Sequence, residues 1–292
     1  MATIRRVLGP DFPLIFRMAG RHHVEGGREI EESVLIAKKF EKAGVNGLHV
    51  DAGCYEVKHG ALPIYMDRGC SVECASVVGD AVQIPVIAVG RLGYPELSEK
   101  LLAEGKADFI ALGRTLLADP QWPDKVQEGR LEDIRPCIGD YEGCLGRIVK
   151  GKTIGCTVNP QTGMERAFTM KVTPEKKSVL VIGGGPGGMD GGRVAALRGQ
   201  RVTLWEREGR LGGNLIPTSV PEFKADIKGL IAYFTRQLEA ARVRVRLNQE
   251  ATAELVMKEK AMKSLSQPAQ HPCSPHFPVH MKNRSSRPSI CI

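Results

Sequence analysis

The chain has no long apolar run, few aromatic residues (5%) and no acidic residue after Glu259. Each shortage excludes something. A membrane-crossing helix needs roughly 20 consecutive apolar residues, and no stretch approaches that. The start, MATIRRVLGPDFP, has no apolar core of a secretory signal. Both point to a cytoplasmic protein with no membrane association. Without basic residues interleaved with aromatics, a nucleic-acid surface is not expected either. The net charge of +8 is misleading on that point, because five Lys/Arg residues and no acid lie beyond Glu259, leaving about +3 on residues 1–259. Eight cysteines are present, and in a cytoplasmic chain they read as ligands or reactive thiols before disulfides.

Residues 1–129 repeat a short apolar strand, a turn and an amphipathic helix. The strands read as Pro13–Met18, Gly47–Ala52, Ile84–Gly90 and Asp108–Gly113. Between them, stretches such as EESVLIAKKFEKAG and PELSEKLLAEGK carry apolar residues at helical spacing and end at Gly44 and Gly105. Four such units in a row imply an α/β fold with parallel strands and right-handed crossovers, matching half of an eight-stranded barrel. Residues 130–172 lose the period and hold cysteines. A second strand–turn–helix unit occupies 173–258, with further strands in RVTLWE and VRVRL around the helix KADIKGLIAYFTRQLEAA. Residues 259–292, rich in Pro, Ser and His, are expected to be disordered. His271, Cys273, His276 and His280 there imitate a metal site without a framework to hold one. The further strand that the preceding unit calls for is not apparent, as though the reading frame had been lost.

Three patterns carry chemistry. Cys137, Asp140, Cys144 and Cys156 are spaced C-x2-D-x3-C-x11-C, which suits an iron–sulfur cluster because soft thiolates match iron. A Cys3Asp zinc site, or a loop of free thiols, remains open. VLVIGGGPGG places Gly183, Gly185 and Gly188 for a tight turn, a pyrophosphate approach and close helix packing. Glu206 ends the next strand, where it can accept hydrogen bonds from a ribose. Gly191 and Gly192 weaken the following helix by roughly 1 kcal/mol each relative to alanine. Two strands end alike, in Gly90-Arg91 and Gly113-Arg114. Glycine lets backbone approach a phosphate and arginine adds a charged fork, although Gly-Arg after a strand is also ordinary turn chemistry.

Together, and in this order, these residues resemble the iron–sulfur branch of the old yellow enzyme-class NADH:flavin oxidoreductases. That branch includes 2,4-dienoyl-CoA reductase, enoate reductases and trimethylamine dehydrogenase. The resemblance covers about residues 1–258 and implies a fragment: the C-terminal half of a TIM (β/α)8 barrel, a cluster segment, and a partial Rossmann-like FAD-binding unit. It implies that Gly90, Arg91, Gly113 and Arg114 hold the FMN phosphate and that Arg17 lies against the flavin ring. Arg210, Leu211, Gly212 and Gly213 match the family's second FAD-contacting loop. Cys137, Cys144 and Cys156 take three of the four positions that ligate a [4Fe-4S] cluster, and Asp140 stands where the fourth cysteine belongs. Tyr55 stands where related reductases carry a histidine and is the catalytic candidate for proton donation, with a pocket-wall role as the alternative. His49 reads as a packed or pocket-lining residue, His59 as a remote candidate, and Cys54, Cys70 and Cys74 as incidental thiols.

The activity so implied passes electrons from NAD(P)H through FAD and the cluster to FMN, reducing an activated C=C of a small unsaturated substrate of enoate or enoyl-CoA type. An amine dehydrogenase, or an inactive flavin-binding fragment, are the alternatives. Half a barrel leaves open sheet edges, so homo-oligomer formation or aggregation is expected.

Overall fold

A computed structural model describes residues 2–54, 62–259 and 263–266. After α1 (Ala2–Leu8), the first half runs β1 (Ile15–Ala19), α2 (Ile30–Lys42), β2 (Gly47–Asp51), α3 (Val72–Gly79), β3 (Val86–Ala88), α4 (Pro95–Ala103) and β4 (Phe109–Ile110). Short helices α5 (Arg114–Ala118) and α6 (Trp122–Gln127) follow. The four strands are parallel and ordered β1-β2-β3-β4. Helix α2 shows how sequence makes an element here. The Glu32 carboxylate accepts the Glu29 N–H at 3.2 Å, buried Ile30, Ser33 and Ala37 recur at helical spacing, and Gly44 exits at φ +84°.

Alternation along β2 divides the sheet into two faces. Leu48 and Val50 are wholly buried against the helices, in a core with Ala37, Val78, Val86 and Ala88. His49 and Asp51 point to the other face, with His49 in register with Arg17 of β1. Strands β3 and β4 are shorter than their apolar runs suggest. Gly90 turns at φ +129° and Gly113 leads straight into α5, so the ends of both runs become loops over the sheet's C-terminal edge.

Between α6 and the second sheet lie α7 (Leu145–Ile148) and irregular chain. Ile138 and Val158 from that stretch join Ala118, Val181, Met189, Leu230 and Phe234 in one core, so the cysteine segment packs onto the second unit. That unit comprises β5 (Ser178–Ile182), α8 (Pro186–Leu197), β6 (Arg201–Trp205), α9 (Leu215–Thr218), α10 (Ala225–Ala240), β7 (Arg244–Arg246), α11 (Ala253–Lys258) and β8 (Lys263–Ser266). Its strands are parallel in the order β7-β6-β5-β8. Against the expectation of disorder from 259 onward, a fourth strand forms at 263–266. Four residues are too few to show a period, and the pairing with β5 that orders them is non-local. Residues 267–292, including the tail histidines, lie outside the described residues.

The strand order reverses direction at β5. Strands β6 and β7 lie on one side and β8 on the other, so the glycine turn follows the C-terminal end of β5 at the switch point where open α/β sheets place their ligands.

Candidate flavin and cluster sites

At the C-terminal edge of the first sheet, one cavity of about 370 Å³ is lined by Arg17, Gly90, Arg91, Gly113, Arg114, Cys137 and Cys144 among others. The two Gly-Arg loops and the cysteine segment, separate in sequence, thus share a wall. Arg17 pairs with Asp51, its Nε 2.9 Å from Oδ2. Arg114 donates Nη2 to the Leu62 carbonyl at 2.8 Å, and its Nη1 is buried without a partner. Arg91 donates Nη1 to the Pro63 carbonyl at 2.7 Å and Nη2 to Asp226 at 2.7 Å, leaving Nε buried and unpaired. A Cβ at Gly113 would meet no atom within 4 Å, whereas one at Gly90 would sit 3.0 Å from Ser71 Oγ. Two unpaired guanidinium N–H groups beside an open glycine fit an anion such as the FMN phosphate.

Beside this cavity, Cys137, Asp140, Cys144 and Cys156 line a smaller one with Arg114 and Tyr141. Glycines bring the cysteine-bearing segments together. A Cβ at Gly143 would fall 2.7 Å from Cys156 Cα, and Gly155 N–H donates to the Gly143 carbonyl at 2.8 Å. Gly143 was not among the expected residues, although a glycine directly before Cys144 marks close backbone approach. Burial pushes the Cys137 and Cys156 thiols above their usual range, with the neighbouring thiols acting in the same direction. Burial likewise raises Tyr141 to about 12, and its hydroxyl is enclosed. No three His, Cys, Asp or Glu side chains among the described residues converge to hold a single ion. Donors ringing a cavity suit a polynuclear cluster, and three soft thiols with one carboxylate fit one in chemistry.

The third site is the turn between β5 and α8. Gly183 adopts φ +102° and donates to the Trp205 carbonyl at 2.8 Å. A Cβ at Gly188 would overlap the Gly183 carbonyl, and one at Gly185 would meet nothing within 4 Å. The first observation is helix–strand packing; the second is the open cradle that a pyrophosphate would fill. Buried Glu206 accepts from Gly184 N–H at 2.5 Å and from Glu208 N–H at 2.9 Å, so its carboxylate braces the turn while keeping lone pairs to spare. The loop 210–213 lies over the turn. Gly212 N–H donates to the Gly184 carbonyl at 2.8 Å, and Leu211 packs where a Gly184 side chain would stand. Arg210 is exposed. Gly192, expected to weaken α8, lies where α8 approaches α10, since a Cβ there would touch Leu238 at 3.4 Å.

His49 is half-buried with Nε2 unpaired, and burial, helped by Arg17, lowers its pKa. Tyr55 and His59 lie outside the described residues.

A half barrel with paired Gly-Arg loops, a thiol-lined cavity and a glycine-rich strand–helix turn are the features of a redox protein of the flavin-binding α/β class. Residues 1–133 match the NADH:flavin oxidoreductase / NADH oxidase family, and residues 178–277 match the FAD dependent oxidoreductase family. The chain belongs to the NADH:flavin oxidoreductases, in the old yellow enzyme class. It is 44% identical over 87% of its length to an NADH oxidase of Thermoanaerobacter brockii, covering 39% of that protein. It is 37% identical over 86% of its length to a cinnamate reductase of Clostridium sporogenes, covering 40%. A solved 2-naphthoyl-CoA reductase in complex with 2-naphthoyl-CoA superposes with a TM-score of 0.89 at 32% identity, over 93% of this chain and 42% of that one. The chain therefore spans about two fifths of the length of these relatives. No helix among the described residues is long and apolar enough to cross a membrane.

Proposed function

We propose that the chain is the FMN-phosphate, cluster and FAD-binding part of an NAD(P)H-dependent reductase of activated C=C bonds, of enoate or enoyl-CoA type. The carrying observation is the single cavity that Arg91, Arg114, Cys137 and Cys144 line together. When bound, the flavins supply two-electron chemistry and an iron–sulfur cluster supplies one-electron transfer between them. The residues place and hold. Arg91 and Arg114 offer their unpaired N–H groups to the FMN phosphate beside Gly90 and Gly113, and Arg17 faces the ring. Cys137, Asp140, Cys144 and Cys156 ligate the cluster. Gly183, Gly185 and Gly188 cradle the FAD pyrophosphate, Glu206 faces the ribose, and Arg210–Gly213 close over it. Tyr55 donates the proton to the substrate. The names of the cinnamate and 2-naphthoyl-CoA reductases support an unsaturated carboxylate or thioester as substrate.

The boundaries 1–129, 130–172 and 173–258 divide these tasks. Six free thiols among the described residues support a cytoplasmic setting. The outer strands β1 and β4 expose Ile15 (57%) and Phe109 (58%), which supports pairing of chains into a homo-oligomer.

The test is an absorption spectrum of anaerobically purified chain before and after dithionite. Flavin bands over a broad shoulder that bleaches are expected. Flavin bands alone would remove the cluster, and a colourless protein would sink the whole reading.

A further inference from the structure

Arg91 is held from behind by the other unit. Asp226, in the first turn of α10, buries its carboxylate against the half barrel, with its side chain 4% exposed. Oδ2 accepts from Arg91 Nη2 at 2.7 Å, while Oδ1 accepts from Arg68 Nη2 at 2.9 Å and from the Tyr94 hydroxyl at 2.6 Å. The Arg68 guanidinium also lies 3.7 Å over the Tyr94 ring. Burial and the neighbouring carboxylate push Tyr94 up to about 12, so the phenol stays neutral and donates. Two arginines therefore share one carboxylate, so Arg91 at the cavity wall is only partly neutralised and a phosphate there would complete its charge, while Arg68 is half-exposed and outside the cavity lining.

The loop itself is under conformational load. Gly90 at φ +129° is followed by Arg91 at φ +51°, a left-handed geometry that a non-glycine residue keeps only where its surroundings over-determine it. Those surroundings are the Pro63 carbonyl and Asp226. With the Arg91 side chain 8% exposed, loss of Asp226 would leave a desolvated cation with no counter-charge.

We propose that Asp226 is a positioning residue for the FMN phosphate: by holding Arg91 from α10, it fixes the Gly90–Arg91 loop and links docking of the FAD-binding unit to retention of FMN. The proposal rests on the reading of the cavity as the FMN site. It adds a contact between the two units, in which one carboxylate of α10 holds the Gly90–Arg91 loop of the half barrel.

The test titrates FMN and FAD separately into the full chain by flavin fluorescence, for wild type and Asp226→Asn, with hydrogen exchange at residues 89–95 as a flavin-independent readout. Asp226→Asn should weaken FMN binding at least tenfold, leave FAD affinity unchanged, and accelerate exchange at 89–95. Tyr94→Phe, which removes the hydrogen bond to Asp226 and a long 3.5 Å one from Arg91 but no charge, should weaken FMN roughly threefold and serves if the first variant folds poorly. Unchanged FMN affinity, or equal losses of both flavins tracking a lowered melting temperature, would overturn the proposal. If wild type takes up no FMN, the cavity reading fails by itself, and the exchange data decide: unchanged protection at 89–95 overturns the role of Asp226.

Discussion

Gly185 and Gly188 are three residues apart in the same turn, yet the structure gives them opposite reasons to be glycine. An alanine Cβ at Gly188 would stand 3.0 Å from the Gly183 carbonyl carbon and closer still to its oxygen, with Val181 Cγ1 at 3.5 Å on the other side. Both neighbours belong to β5 and its turn, so the overlap is relieved only by moving α8 away from the strand. Overpacking of this kind costs about 1–3 kcal/mol where side chains can yield, and a backbone obstacle puts Gly188→Ala at about 3 kcal/mol. At Gly185 the φ is –74° and a Cβ meets nothing within 4 Å. Gly185→Ala should therefore fold at least as stably as wild type, gaining about 0.4–1 kcal/mol from the lower entropy of the unfolded chain. The methyl group would, however, fill the space left for the pyrophosphate. Urea denaturation of both variants, with flavin released and quantified, separates the effects. Gly188→Ala should lose stability and FAD together, and Gly185→Ala should lose FAD alone. A Gly185→Ala protein that keeps its FAD would refute the assignment of this turn to the dinucleotide.

Two further outcomes are expected. Asp140→Cys completes a four-thiol set and should raise iron and acid-labile sulfide per chain, together with the absorbance that dithionite bleaches; unchanged iron would show that Asp140 does not stand at a ligand position. Tyr94 has a folded pKa of about 12 against 10 for an ordinary tyrosine. Since the raised value favours the protonated phenol in the folded state, its contribution to stability is complete below pH 10 and is lost as pH rises from 10 through 12. Denaturation of wild type and Tyr94→Phe across that interval should show the wild-type advantage shrinking, and a constant difference would contradict the burial of the Asp226–Tyr94 pair.

Much of this protein is legible locally. Strand and helix positions follow from periodicity, as in α2 and β2, because burial on one face selects side chains at intervals the chain displays. The glycine fingerprint is legible for the same reason, since Gly188 answers to the Gly183 carbonyl only five residues away. The cysteine spacing is local too. The ends of β3 and β4 are less so, because apolar residues continue after the backbone has left the ladder. Strand β8 was lost among polar residues, since its pairing partner β5 stands some eighty positions upstream and nothing in KSLS announces it.

Sequence by itself determined the repeated βα units, the thiol set and the dinucleotide turn, all of which depend on neighbours along the chain. Tertiary structure alone decided that the Gly-Arg loops and cysteines share one cavity, that Gly143 lets two cysteine-bearing segments touch, and that Asp226 reaches back to Arg91 across 135 residues. Those contacts join segments whose order along the chain carries no record of their distance in space. The charge that completes a site can come from any surface the core brings against it.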